Sequence, residues 1–121
     1  MVILSDEVFG QYYKKIRSER KITQDYVAKF VNRKKMTISL IESGKNDPPE
    51  GELLLGMINA LGNVDDDIKS KLIVLSSKVR NTIPVDISNY FFSNLEIYNA
   101  IKRGLNMKMK NDDWKKIFSK E

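Results

Sequence analysis

The chain has 121 residues, a net charge of +5 and 41% hydrophobic residues, which is enough for one compact domain with a modest extension. It contains neither cysteine nor histidine, which excludes disulfide bridges, Cys/His zinc sites and His-based catalytic triads. No apolar run approaches the length of a membrane span, and the lack of cysteine is compatible with the reducing cytoplasm in which we expect the protein.

Two helices are predicted in the first 30 residues. The first covers residues 7–20, and its apolar side chains recur at helical spacing at Phe9, Tyr13 and Ile16. The second covers residues 23–30 and is expected to bury Val27 and Ala28. Thr23 suits the N-cap of this helix, because its hydroxyl oxygen can accept a hydrogen bond from an early backbone N–H.

A tight turn and a third helix follow. Asn32 lies at the corner, where it tolerates a left-handed conformation better than most residues other than glycine. The third helix covers residues 35–43 and is expected to bury Ile38 and Ile41, and Gly44 follows where a C-cap favours positive φ. Two short helices joined in this way form a helix-turn-helix unit, whose second helix enters the major groove of DNA.

Two further helices are predicted to complete a first domain, residues 1–80. Pro48 and Pro49 mark a loop before the fourth helix, residues 50–61. Three aspartates open the fifth helix, residues 65–80, where acidic side chains interact favourably with the helix dipole.

A helical extension is predicted for residues 81–121, because its apolar residues are too many for a solvated tail. Asn94 is expected to cap a helix at residues 95–105, and Asn111 is expected to cap a last helix.

Positive charge is concentrated on the helix-turn-helix. Residues 14–45 hold ten Lys/Arg against three acidic residues, a net charge of +7, whereas the rest of the chain has a net charge of −2. A basic block of this kind is typical of a phosphate-facing surface, although a solvated lysine-rich face would also produce it.

Several of these stretches resemble the lambda-repressor-like family of helix-turn-helix regulators, also called the Cro/CI or XRE type. They are FGQYYKKIRSERKITQ (Phe9–Gln24), the pattern IS-x-IE-x-GK (Ile38–Lys45), the Pro-Pro link and the fourth helix, within residues 4–62. Departures from the family pattern are Lys21 and Asn32, where glycine is usual, and Lys34, where a Ser or Thr cap is usual.

The resemblance implies an all-α fold, with a five-helix lambda-repressor-like bundle followed by short C-terminal helices. It also implies a sequence-specific DNA-binding regulator, in particular a repressor of its own operon or of a mobile-element promoter. In the family pattern an arginine of the first helix pairs with the glutamate of the third, which are Arg17 and Glu42 here.

The same pattern gives the DNA-contacting residues. It implies that Lys35, Met36, Ser39 and Leu40 face the bases, although Met36 and Leu40 could instead pack in the core. Lysine can donate to guanine, and apolar side chains can contact thymine methyl groups. The expected phosphate contacts, which fix the register of the protein on the duplex, are Thr23, Gln24, Lys34, Thr37, Ser43, Lys45 and Asn46.

One recognition helix covers few base pairs, so we expect a homodimer on a palindromic operator. Apolar side chains beyond the needs of the bundle core are the expected dimer or partner contacts: Leu72, Val79, Phe91, Tyr98, Ile101, Trp114 and Phe118. The alternative is an antitoxin or another phage or plasmid module, whose extension binds a partner protein and whose helix-turn-helix serves autoregulation. An open apolar groove in the extension would favour this alternative.

An enzyme is not expected, and neither is a cofactor or a metal. The sequence has no glycine-rich loop that would bind phosphate, and its carboxylates are scattered rather than paired.

Overall fold

The structure is a computed structural model that describes residues 7–119. Over this range the chain is all-α, as predicted, with eight helices and no strand. The helices are α1 (Phe9–Glu19), α2 (Gln24–Phe30), α3 (Lys35–Glu42), α4 (Gly51–Ala60), α5 (Asp66–Lys78), α6 (Val85–Ser93), α7 (Glu96–Asn106) and α8 (Asn111–Phe118). Among the described residues, none of these helices is long and apolar enough to cross a membrane. The chain divides into two compact units, Met1–Asp86 and Ile87–Glu121.

The first unit packs α1 to α5 around one hydrophobic core. Its largest fully buried side chains include Phe9, Tyr13, Ile38, Met57 and Leu72. Each such side chain contributes about 1.5–3 kcal/mol when it leaves water. The one polar atom of Tyr13 in this core is satisfied, because its hydroxyl donates to the carbonyl oxygen of Met57 at 2.7 Å.

The predicted ends of α2 and α3 are formed by residues next to them in the sequence. Thr23 is the N-cap of α2, and its hydroxyl oxygen accepts from the Tyr26 N–H at 3.0 Å. Asn32 adopts the predicted left-handed conformation with φ 56°, and Gly44 follows α3 with φ 81°. Lys21, where the family usually has glycine, is also left-handed with φ 58°. Asn32 and Lys21 therefore adopt a backbone conformation that glycine adopts most easily.

Polar contacts join α1 to the later helices. The Lys71 ammonium on α5 pairs with the Glu7 carboxylate at 2.7 Å and lies 4.2 Å from the centre of the Tyr12 ring. Arg20 donates to the carbonyl oxygens of Leu61 and Asn63, at 3.0 and 2.9 Å. These contacts link both ends of α1 to the α4–α5 part of the bundle.

The second unit differs from the sequence prediction at two helix starts. Asn94 does not cap α7, because its side-chain amide donates to the carbonyl oxygen of Tyr90 at the end of α6. Asn111 is the first residue of α8 rather than its cap, and the Asp113 carboxylate accepts from the Lys110 N–H at 2.9 Å. An Asn side chain serves either helix end, so its role depends on which neighbouring backbone groups lack a partner.

Candidate nucleic-acid interface

Helix α3 has one face in the core and one face in solvent. Ile38 and Ile41 are buried against the rest of the bundle. The N-cap Lys34 and the first two residues of the helix, Lys35 and Met36, are exposed, and Met36 is 64% exposed. A helix that enters a DNA groove needs exposed side chains of this kind on its outward face.

The rear of α3 is held by a hydrogen-bonded ion pair. The Arg17 guanidinium donates to both oxygens of the Glu42 carboxylate, at 2.7 and 2.9 Å, and to the Ile22 carbonyl oxygen at 2.7 Å. Gln24 adds a third donor to the same carboxylate at 3.0 Å. The hydrogen bond to Glu42 raises the pKa of Arg17, against the opposing effect of burial. One carboxylate thus fixes α3 to both α1 and α2.

The four residues predicted to read bases are all on α3, but they differ in exposure. Lys35 and Met36 are exposed, and the Lys35 ammonium lies 3.9 Å from the Asp25 carboxylate of α2. This pair is exposed on both sides, so DNA could displace it at small cost. Ser39 and Leu40 are half-buried. The predicted base-reading side chains are therefore most exposed at the start of α3.

Among the predicted phosphate contacts, Lys34 and Lys45 are exposed at the two ends of α3. Thr23 is exposed too, and its oxygen already accepts from a backbone N–H, so its O–H remains a donor. Thr37 is half-buried, which leaves part of its surface accessible. Apart from Arg17, every Lys and Arg between residues 14 and 45 is exposed.

Three other predicted phosphate contacts have donors engaged within the protein. Gln24 uses one N–H of its amide on Glu42, which leaves its second N–H as a donor. The Ser43 hydroxyl donates to the Leu40 carbonyl oxygen at 3.2 Å. The backbone N–H of Asn46 donates to the same carbonyl oxygen at 3.0 Å, as part of the cap of α3. A donor already used in this way must exchange partners to reach a phosphate.

Gly10 is a functional position that sequence reasoning missed. A Cβ built on Gly10 would lie 2.4 Å from the carbonyl oxygen of Ile41 and 2.5 Å from that of Glu42. Helix α1 therefore touches the backbone at the end of α3, an approach that only glycine permits. A glycine within an otherwise helical pattern was the available signal.

A second set of missed residues holds the loop after α3. The Ser76 hydroxyl, which is buried on α5, donates to the Pro49 carbonyl oxygen. Arg80 donates to the Pro48 carbonyl oxygen and pairs with the Glu50 carboxylate at 3.0 Å. These contacts fix the course of the chain just after Lys45.

Among the predicted dimer or partner residues, Leu72 is wrong. Its side chain is fully buried in the core of the first unit, because α5 turns that face toward α1 and α4. Val79, Tyr98, Ile101 and Phe118 are exposed, whereas Phe91 and Trp114 are half-buried.

No protein-family model, no curated protein and no solved structure matches the chain. The candidate interface is therefore supported by its geometry alone.

Proposed function

We propose that the protein is a sequence-specific DNA-binding transcriptional regulator of the lambda-repressor-like type, and that α3 is its recognition helix. Repression of its own operon or of a mobile-element promoter is the role that this reading favours. The observation that carries the proposal is the division of α3 into a buried face (Ile38, Ile41) and an exposed face (Lys35, Met36).

The charge around this exposed face supports the proposal. Nine exposed Lys and Arg residues lie between positions 14 and 45. Only Arg17 of this segment is committed to a buried ion pair. Positive groups of this kind hold phosphates and set the register of a helix in the groove, and base edges are then read by the side chains on the helix.

Two copies on a palindromic operator are proposed as the bound assembly, because one short helix contacts few base pairs. Val79, which is more than half exposed at the end of α5, is the proposed apolar contact between the copies in the first unit. We expect sedimentation of the full chain on a selected operator duplex to show two chains per duplex. One chain per duplex would rule out this assembly.

Selection from a pool of random duplexes, followed by binding measurements on variants, tests the function. We expect Lys35→Ala and Met36→Ala each to relax the preference at one or two base pairs, at a cost of about 1–3 kcal/mol for a good direct contact. Lys69→Ala and Leu55→Ala are matched controls, since these residues are exposed on α5 and α4. If all four variants select the same sequence as the wild type, α3 is not the reading element.

A further inference from the structure

The second unit has almost no interior of its own. Over residues 87–119, the structure buries only Gly104. Apolar side chains that are at least half exposed there include Tyr90, Phe92, Tyr98, Leu105 and Phe118. A unit this short cannot form a sufficient core alone, and the chain has no cysteine to cross-link it. Its apolar surface is therefore suited to being covered by a binding partner.

This surface contains a shallow, open groove. The Trp114 ring of α8 lies directly on α7 at Gly104, where a Cβ would be 2.2 Å from the ring atom Cζ2. Beside this contact, a groove of about 340 Å³ is lined by Ile101, Leu105, Met109 and Trp114. Methionine adapts its shape to the partner it meets, and a tryptophan provides a large rigid contact.

The charges around the groove are unbalanced. Residues 87–119 contain six Lys/Arg and three acidic residues. Two of the acids already accept hydrogen bonds within the unit: Glu96 from the Asn99 side-chain amide at 3.3 Å, and Asp113 from the Lys110 N–H at the start of α8. None of the six bases forms an ion pair with another described residue.

Two of these bases border the exposed apolar face. Lys102 lies four residues after Tyr98 and three before Leu105, and Lys115 lies three before Phe118. Residues three or four apart are neighbours on a helix surface. An occupant of the groove therefore meets positive charge at its edges.

We propose that the groove between α7 and α8 binds an amphipathic helix of a partner protein, with an apolar stripe flanked by Asp and Glu. A second copy of this chain fits less well, because it would bring two sets of unpaired bases together. The proposal does not depend on DNA binding.

A display library tests this with the full-length chain and no DNA. The probes are helical peptides of about 18 residues, or five turns, with a fixed leucine stripe and flanking positions drawn from Glu, Gln and Lys. We expect selection to enrich Glu at the flanks. The selected peptide should bind at least about tenfold more tightly than a twin with Lys at those positions. Trp114 is the one tryptophan of the chain, so its fluorescence should shift to the blue on binding.

Variants locate the binding and distinguish the competing occupants. Leu105→Asp should abolish peptide binding, and Lys102→Glu combined with Lys115→Glu should reverse the charge preference. Leu55→Asp and Lys69→Glu, at exposed positions of the first unit, should leave the peptide affinity and the charge preference unchanged. The proposal would be overturned if no peptide were enriched, or if the enriched peptides carried Glu, Gln and Lys equally often at the flanking positions. It would also be overturned by a dimer of the full chain that Leu105→Asp dissociates, or by a Trp114 shift on phosphatidylserine vesicles that the selected peptide does not prevent.

Discussion

Removing the buried Glu42 carboxylate should destabilise the first unit more than a change at any exposed residue of α3. In Glu42→Ala, the Arg17 guanidinium loses two hydrogen bonds of 2.7 and 2.9 Å, and the Gln24 amide loses one of 3.0 Å. The Ile22 carbonyl oxygen, 2.7 Å from Arg17, is the remaining acceptor. A positive charge would then be left in a nearly buried position without its counter-charge.

The exposure of the two side chains sets the size of the effect. Breaking a buried pair on one side typically costs about 3–5 kcal/mol. Glu42 is 2% exposed and Arg17 is 11% exposed, so some water reaches the guanidinium. We therefore expect about 3 kcal/mol, at the lower end of the range. For a domain of this size, this loss lowers the Tm by roughly 12 °C or more.

Thermal unfolding followed by circular dichroism measures this loss. Glu52→Ala, an exposed carboxylate at the start of α4, is the matched control and should change the stability by less than about 0.5 kcal/mol. The double variant Arg17→Met with Glu42→Leu should recover part of the stability, because it removes the buried charge together with its partner. A Glu42→Ala protein that melts within two or three degrees of the wild type, by the same scale, would refute the reasoning.

Three further changes test other parts of the structure. Gly10→Ala should cost about 1–3 kcal/mol in a denaturant titration, because the new Cβ overlaps the backbone at the end of α3. Burial raises the pKa of Tyr13, so the stability this side chain contributes is present below the ordinary phenol pKa of about 10 and is lost as the pH rises above it. Tyr13→Phe should therefore lose less stability between pH 10 and 12 than the wild type, and equal losses would contradict this. Lys34→Ala and Lys45→Ala should weaken binding to all duplexes alike and reduce the salt slope by about one each, whereas unchanged slopes would argue against phosphate contacts.

The parts of the fold that could be predicted are those that depend only on residues close together in the sequence. Thr23 caps α2 and Gly44 ends α3 because each acts on backbone groups within four residues of itself. The apolar stripes of α1 and α3 follow from helical spacing alone. The Arg17–Glu42 contact joins residues far apart in the chain, and only the family resemblance pointed to it.

Other features of the fold depend on contacts between residues far apart in the chain, and local sequence patterns do not reveal these contacts. Leu72 has the same apolar character whether it covers the core or faces a partner, and only the packing of α5 decides between them. Gln24 has the right chemistry for a phosphate, but Glu42 competes for its amide. A helical extension is predicted over residues 81–121 without separate bounds for α6, in which apolar and polar residues are mixed.

The end of α3 is held by contacts that come from three directions. Gly10 lets α1 lie against its last carbonyl oxygens, Glu42 is hydrogen-bonded from two other helices, and Ser76 and Arg80 hold the loop that follows. A helix restrained in this way has little conformational freedom left to lose when it meets a ligand. We therefore expect the exposed face of α3 to be ordered before it contacts DNA. On binding, the side chains of Lys35 and Met36 should change rotamer while the backbone of α3 stays in place. In the free protein, the α3 amides should accordingly exchange as slowly as those of the core helix α1, and exchange of α3 much faster than that of α1 would show that the helix is not ordered before it meets DNA.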